Sequence, residues 1–225
     1  IRDTAGGGYS RDPFNIEQIE VAKGPSSTNS GRGSTGGSIN LSTKTPQLDP
    51  FYRAEAGVGT DQYFRSTVDI NVPFWTGSAP APAANGKNAV SGQSSRGGNQ
   101  TGAAFRFNAM WHDQELPGRD YVNNHRWGVA PSIAFGLGTP TRFTLSYMLL
   151  DQDNVPDYGT QSVARASTNP DLLPGVPPVD FDSYYGLLTR DHEYIKTDIL
   201  TGTFEHDFNS RVKLRTAVGW GKNDR

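Results

Sequence analysis

Seven stretches of this sequence alternate apolar and polar side chains with a period of two. Tyr52, Ala54, Ala56 and Val58 alternate with Arg53, Glu55 and Gly57; Val68, Ile70, Val72 and Phe74 with Thr67, Asp69 and Asn71. Phe105, Phe107, Ala109 and Trp111 alternate with Arg106, Asn108 and His112, and the pattern continues through Trp127, Val129, Ile133 and Phe135 and through Phe143, Leu145, Tyr147 and Leu149. The last two are Leu200, Phe204 and Phe208, then Val212, Leu214, Val218 and Trp220. A strand sends successive side chains to opposite faces, so each stretch is a strand with one apolar face. The 26 glycines and 15 prolines add turn formers rather than helix formers. The fold class this predicts is all-β.

Such strands fit two environments. No run approaches the roughly 18 apolar residues of a membrane-spanning helix, but a transmembrane barrel needs none, because its strands are apolar on the lipid side alone. Aromatic residues recur near strand ends at Phe74, Trp111, Trp127, Phe135, Phe208 and Trp220. In a barrel they form interfacial girdles; in a soluble β-sandwich they are core. The connections favour the barrel. GLGTPTR and NSR are tight, whereas HDQELPGRDYVNNHR and the segment after Leu150 are long and polar, the asymmetry of periplasmic turns against extracellular loops. One segment breaks the rule: residues 75–102, rich in Gly, Ser, Ala, Pro and Asn, stand where a short turn is expected, and their composition predicts a flexible insertion.

Composition excludes several functions. With 21 Lys plus Arg against 23 Asp plus Glu, the formal charge is −2, which gives no basic face for nucleic acid. There is no cysteine, hence no disulfide framework or thiolate metal site. His112, His125, His192 and His206 lie scattered without ligand-like spacing, His206 falls on the apolar parity of its strand, and no motif fixes a carboxylate pair, so an enzyme is not expected. The chain opens on IRDTAGGGYSRDPF without the features of a signal peptide and closes on GWGKNDR, and both ends read as cuts through a longer polypeptide.

Gly31-x-Gly33-x-x-Gly36 has the spacing of a dinucleotide-binding loop. That fingerprint needs a following helix whose N-terminal amides face the pyrophosphate. Here FNIEQIEVA reads as a helical turn leading into a strand that ends at Gly24-Pro25, and SINLST, after the loop, reads as another strand. Strand, glycine loop, strand argues against a nucleotide.

The segment NIEQIEVAKGPSSTNSGRGSTGGSINLSTKTPQ resembles the end of the plug domain of TonB-dependent outer-membrane receptors. GRDYVNNHRWGVAPSIAFGLGTPTRFTLSYMLLDQDNVPDYG and YYGLLTRDHEYIKTDILTGTFEHDFN resemble the catecholate-siderophore branch of that family. The resemblance implies an antiparallel transmembrane β-barrel, 22-stranded when complete, with an N-terminal plug. Residues 1–47 are then the C-terminal part of the plug, and residues 48–225 the first seven strands of the barrel, with the insertion at 75–102 and a long extracellular loop at 151–193. It also implies TonB-dependent import of a ferric siderophore across the outer membrane of a Gram-negative bacterium. The partners would be the TonB-ExbB-ExbD energy-coupling complex and outer-membrane lipid and lipopolysaccharide. No cofactor or protein-held metal is expected, iron being carried inside the chelate. Other large ligands of the family (a hydroxamate chelate, cobalamin, an oligosaccharide) stay open, as do a passive porin and a soluble β-sandwich binding module.

On this reading the loop bearing Asn29, Ser30 and Arg32 forms a plug apex. Arg32 faces either the anionic chelate, whose oxygens suit a guanidinium fork, or a carboxylate of the wall. Tyr9 and Arg11 belong to a second plug loop, where the tyrosine either stacks on a catechol ring or fills space against the barrel. Glu17, Glu20 and Lys23 suit plug-to-wall ion pairs, since a carboxylate repels an anionic ligand. Tyr158, Arg165, Tyr184, Tyr185 and Arg190 make an aromatic and basic set in the long loop, closing over ligand or packing the loop itself.

Overall fold

The computed structural model describes residues 12–24, 36–78, 100–157, 159 and 179–225. A 3-10 turn at Pro13–Asn15 runs directly into β1 (Ile16–Lys23), which pairs antiparallel with β2 (Gly37–Thr43) as a separate two-stranded sheet. Seven strands follow: β3 (Phe51–Val58), β4 (Phe64–Ser78), β5 (Gln100–Glu115), β6 (Asn123–Leu137), β7 (Thr141–Val155), β8 (Glu193–Asp207) and β9 (Lys213–Asp224). Each pairs antiparallel with its chain neighbours, so the sheet is an uninterrupted meander in the order β3 to β9. Such a meander is the curved wall of an all-β barrel.

Register fixes which side chains share a face. Arg65 on β4 stands opposite His112 on β5, which stands opposite Arg126 on β6 and then Gln152 on β7. The neighbouring rows carry Asp69 with Asn108, and Asn71 with Arg106 and Ser132. This polar face looks toward the turn and the β1–β2 hairpin. On the other face Phe135, Phe143 and Phe204 form one row and Trp111 and Trp127 another. Leu145, Leu200, Val218 and Trp220 stay exposed there, the surface a lipid-facing wall presents.

The strands are longer than their apolar stretches. Residues expected in the 75–102 insertion extend the ladder instead: Trp75 pairs with Ala103, Thr76 with Gly102, Gly77 with Thr101 and Ser78 with Gln100. A bulge between Pro73 and Trp75 shifts the register there, because proline has no N–H to give the ladder. That shift interrupts the alternation, which is why the strand reads as ending early. Residues 79–99 lie outside the described residues. The loop expected at 151–193 is likewise trimmed, with 151–155 in β7 and Glu193 in β8, and the β5–β6 connection shrinks to 116–122. Backbone pairing continues past the apolar band, so 15-residue strands outlast the roughly 9–11 residues a bilayer requires. At the opposite end Gly136 and Gly138 hold φ of +72° and +76° in the tight β6–β7 turn, where a Cβ would stand 2.1 Å from a carbonyl oxygen in each case.

Candidate functional site: the interface between hairpin and wall

The first described residues dock on the polar face of the wall. Asp12 caps the 3-10 turn, its carboxylate accepting from the Phe14 N–H at 3.0 Å. The cap directs Phe14 into the sheet, where it packs with Met110, Ala130 and Leu150. Gly128 leaves the space for the ring: a Cβ there would stand 2.9 Å from Phe14 Cζ and 3.0 Å from the Leu149 carbonyl. A second apolar contact sets Leu48 against Ala104, Ala134 and Leu137.

Around these contacts charges interlock. Arg65 donates from both terminal nitrogens to the two Asp12 oxygens at 2.7 Å, a bidentate pair, and Arg126 Nε lies 3.8 Å from the same carboxylate. Burial works to raise the Asp12 pKa. The hydrogen bond and charge of Arg65, the Phe14 N–H and the Arg126 charge outweigh it and hold the carboxyl below its ordinary value.

Farther along, Arg106 is almost wholly enclosed. Its Nε and Nη2 donate to Asp69 at 2.9 and 2.8 Å, its Nη1 donates to the Thr45 carbonyl at 2.9 Å, and Glu17 lies 2.9 Å from Nη1. The Phe51 ring sits 5.1 Å from its guanidinium carbon. Lys44 adds a contact to Asp69 at 3.1 Å. Asn71 grips the segment between the hairpin and β3, accepting from the Gln47 N–H at 2.9 Å and donating to the Gln47 and Asp49 carbonyls at 2.8 Å. A cleft of about 350 Å³ runs along this seam, bordered by Glu17, Lys44, Arg53, Glu55, Asp69 and Arg106.

Of the three residues expected in hairpin-to-wall ion pairs, Glu17 lies against Arg106. Glu20 instead meets its own hairpin, accepting from Gln18 at 3.2 Å and from Asn40 of β2 at 3.1 Å. Alternation turns it away from the wall, and among the described residues it has no wall partner. Lys23 makes no ion pair among the described residues. Tyr9, Arg11, Asn29, Ser30, Arg32, Tyr158 and Arg165 lie outside the described residues.

Tyr184 and Tyr185 lie in the β7–β8 loop. The Tyr184 ring covers Gly186, where a Cβ would come within 2.4 Å of it, and the Tyr185 hydroxyl donates to the Asp180 carbonyl. Arg190 donates to its neighbour Asp191 at 3.2 Å. The centre of this loop region is a residue that no sequence motif marks. Arg119, in the β5–β6 loop, pairs with Asp157 at 2.9 Å, donates to the Phe181 carbonyl and lies 5.5 Å from the Phe181 ring centre.

No motif marks Asp12, Lys44, Arg65 or Arg126 either. Those on strands carry a signal in retrospect, since all occupy the polar parity; their partners lie too far off in sequence to be paired by inspection.

Residues 1–38 match the TonB-dependent Receptor Plug Domain family. The chain is 37% identical over 227 residues to the "Catecholate siderophore receptor Fiu" of Escherichia coli O157:H7, covering 99% of this chain and 26% of that protein. Its fold is similar to the crystal structure of the ferric-catecholate import receptor Fiu from E. coli K12 in its open form, with a TM-score of 0.73 and 34% identity over 98% of this chain and 30% of that one. It is also similar to the siderophore receptor PiuA from Acinetobacter baumannii, with a TM-score of 0.75 and 32% identity over 99% of this chain and 28% of that one. The chain therefore spans about a quarter of the length of the curated relatives it matches. A plug-family hairpin locked by its charges to a seven-stranded antiparallel wall makes the chain similar, across nearly every residue, to part of the TonB-dependent outer-membrane siderophore receptors.

Proposed function

We propose that the complete receptor imports a ferric siderophore of the catecholate type across the outer membrane, drawing on the TonB-ExbB-ExbD complex. The observation that carries this reading is the 37% identity to a catecholate siderophore receptor over 99% of the chain, spanning hairpin and wall alike. Nothing in the ligand is made or broken on this reading, and the protein supplies no cofactor; iron is cargo held by its chelator.

The work of the described residues is mechanical and electrostatic. Phe14, Leu48, Asn71 and the two arginine-carboxylate knots hold the plug against the wall, so the resting lumen is shut on this side. A pull on the plug has to break a few short-range charged and apolar contacts, which give way over a short displacement. Asn29, Ser30 and Arg32 on the plug apex, with Tyr9 and Arg11 on a second plug loop, would supply donors and rings to an anionic chelate. Tyr158, Arg165, Tyr184 and Tyr185 would lie above it in the β7–β8 loop. Lipid and lipopolysaccharide would meet the apolar outer face.

The test is uptake of radioactive iron as a ferric catecholate by cells carrying the full-length receptor, with and without the proton gradient. Gradient-dependent uptake is expected. Absence of uptake, with iron-limited growth unchanged on deletion of the gene, would overturn the substrate assignment.

A further inference from the structure

The row Arg65, His112, Arg126 spans β4, β5 and β6 directly opposite one another in register, all on the face toward the plug. Among the described residues two guanidinium groups meet one carboxylate there, Asp12, while Glu17 of the hairpin lies against Arg106. The donors outnumber the acceptors as well. Among the described residues Arg126 Nε is buried without a hydrogen bond, and neither ring nitrogen of His112, a residue only 4% exposed, has a hydrogen-bond partner. Tyr63 closes the side, its ring 5.7 Å from the His112 ring. Buried polar groups are nearly always satisfied, so Arg126 Nε and the single N–H of a neutral His112, beside one carboxylate, leave room for a further acceptor.

The geometry of the one acceptor present is informative. Asp12 offers two coplanar oxygens, and Arg65 takes both at 2.7 Å, the fork that recognises any planar pair of anionic oxygens. Asp12 belongs to the segment that precedes the hairpin, whereas its partners all belong to the wall. If that segment moves, the carboxylate leaves and the two guanidinium groups, 24% and 21% exposed, lose their shared partner, which an incoming anion replaces.

We propose that Arg65, His112 and Arg126 form an anion site in the wall of the lumen, filled at rest by the side chain of Asp12, which takes a carboxylate or catecholate oxygen pair of the cargo when the plug segment withdraws. The site serves as a stepping point for the anionic cargo along the wall. Its link to transport rests on the anionic-cargo reading above; its existence as an anion site does not.

The experiment uses the full-length receptor purified in detergent, with benzoate as the probe and benzamide as its neutral match, followed by ligand-observed NMR. The Asp12→Ala receptor is expected to bind benzoate saturably and at least about tenfold more tightly than the unsubstituted receptor, whose site is filled. Benzamide is expected to bind to neither. Adding Arg65→Gln and Arg126→Gln to Asp12→Ala is expected to abolish the benzoate signal. Equal benzoate binding with and without Asp12, or binding that survives loss of both arginines, would overturn the site. Asp12→Ser keeps a capping oxygen for the Phe14 N–H while leaving the Arg65 fork open, and repeats the comparison should the alanine variant fold poorly. Benzoate binding is measured without transport, so it succeeds or fails independently of ferric-catecholate uptake.

Discussion

Arg106 on β5 and Asp69 on β4 form a fork-to-fork pair across the ladder, Nε to Oδ1 at 2.9 Å and Nη2 to Oδ2 at 2.8 Å. Only 1% of the arginine side chain is exposed, and its remaining nitrogen faces Thr45 and Glu17. Truncating it leaves Asp69 with Lys44 as its remaining cation. Arg106→Ala in the full-length receptor is expected to loosen seating of the plug by about 1–3 kcal/mol, since the Thr45 carbonyl and the half-exposed Glu17 lose their donor. Hydrogen exchange of residues 16–24 reads this out, and Arg106→Lys is expected to recover only part of it, since an ammonium cannot form the fork.

Phe14 and Gly128 are matched in shape. Phe14→Ala is expected to cost about 3–5 kcal/mol of docking, and Gly128→Ala about 1–3 kcal/mol by crowding the ring. The two changes are not expected to add. In the double variant the new methyl enters space the ring has vacated, and a double-mutant cycle read by hydrogen exchange of the β1–β2 hairpin should show coupling of about 0.5–3 kcal/mol. Additive costs would mean that the two residues do not share one cavity.

Asp12 supplies a pH dependence whose sign follows from its partners. Its folded-state pKa is depressed, so its contribution to docking is complete above the ordinary aspartate value of about 3.9 and is lost as the pH falls through the depressed value. Hydroxyl-radical footprinting of Phe14 should therefore stay flat from neutral pH to about 4 and rise below it. In the Asp12→Asn receptor that acid step should vanish, with Phe14 already more reactive at neutral pH.

Arg119 joins two loops. Its contacts to Asp157 and to the Phe181 carbonyl hold both flanks of the β7–β8 loop, and the neighbouring Asp120 N–H donates to the Asp182 carbonyl at 2.8 Å. Arg119→Ala is expected to speed exchange of the Asp120 amide by about tenfold or more, the change that a loss of 1–2 kcal/mol produces. Amides within β5 and β6 should be unaffected.

Much of the wall was legible before any coordinate. The period-two pattern in segments such as Phe105 to Trp111 names both the strand and the face that meets lipid, because side-chain direction in a strand is local geometry. The strand ends were not legible: Thr101 and Asp153 are paired in the ladder although no apolar alternation reaches them, since backbone hydrogen bonds ignore side-chain polarity. The site was less legible still. Glu17 was picked out by charge and chemistry; Glu20 followed the same logic and turned back onto Asn40, because alternation sends neighbouring hairpin side chains to opposite sides.

Sequence alone therefore determined an all-β chain, its apolar face and its likeness to a plug and wall. Tertiary structure decided which charges meet. Asp12 and Arg65 are 53 residues apart and Asp69 and Arg106 are 37 apart. Their meeting depends on register across β4, β5 and β6 and on the docking of a separate hairpin, long-range facts that no local pattern encodes.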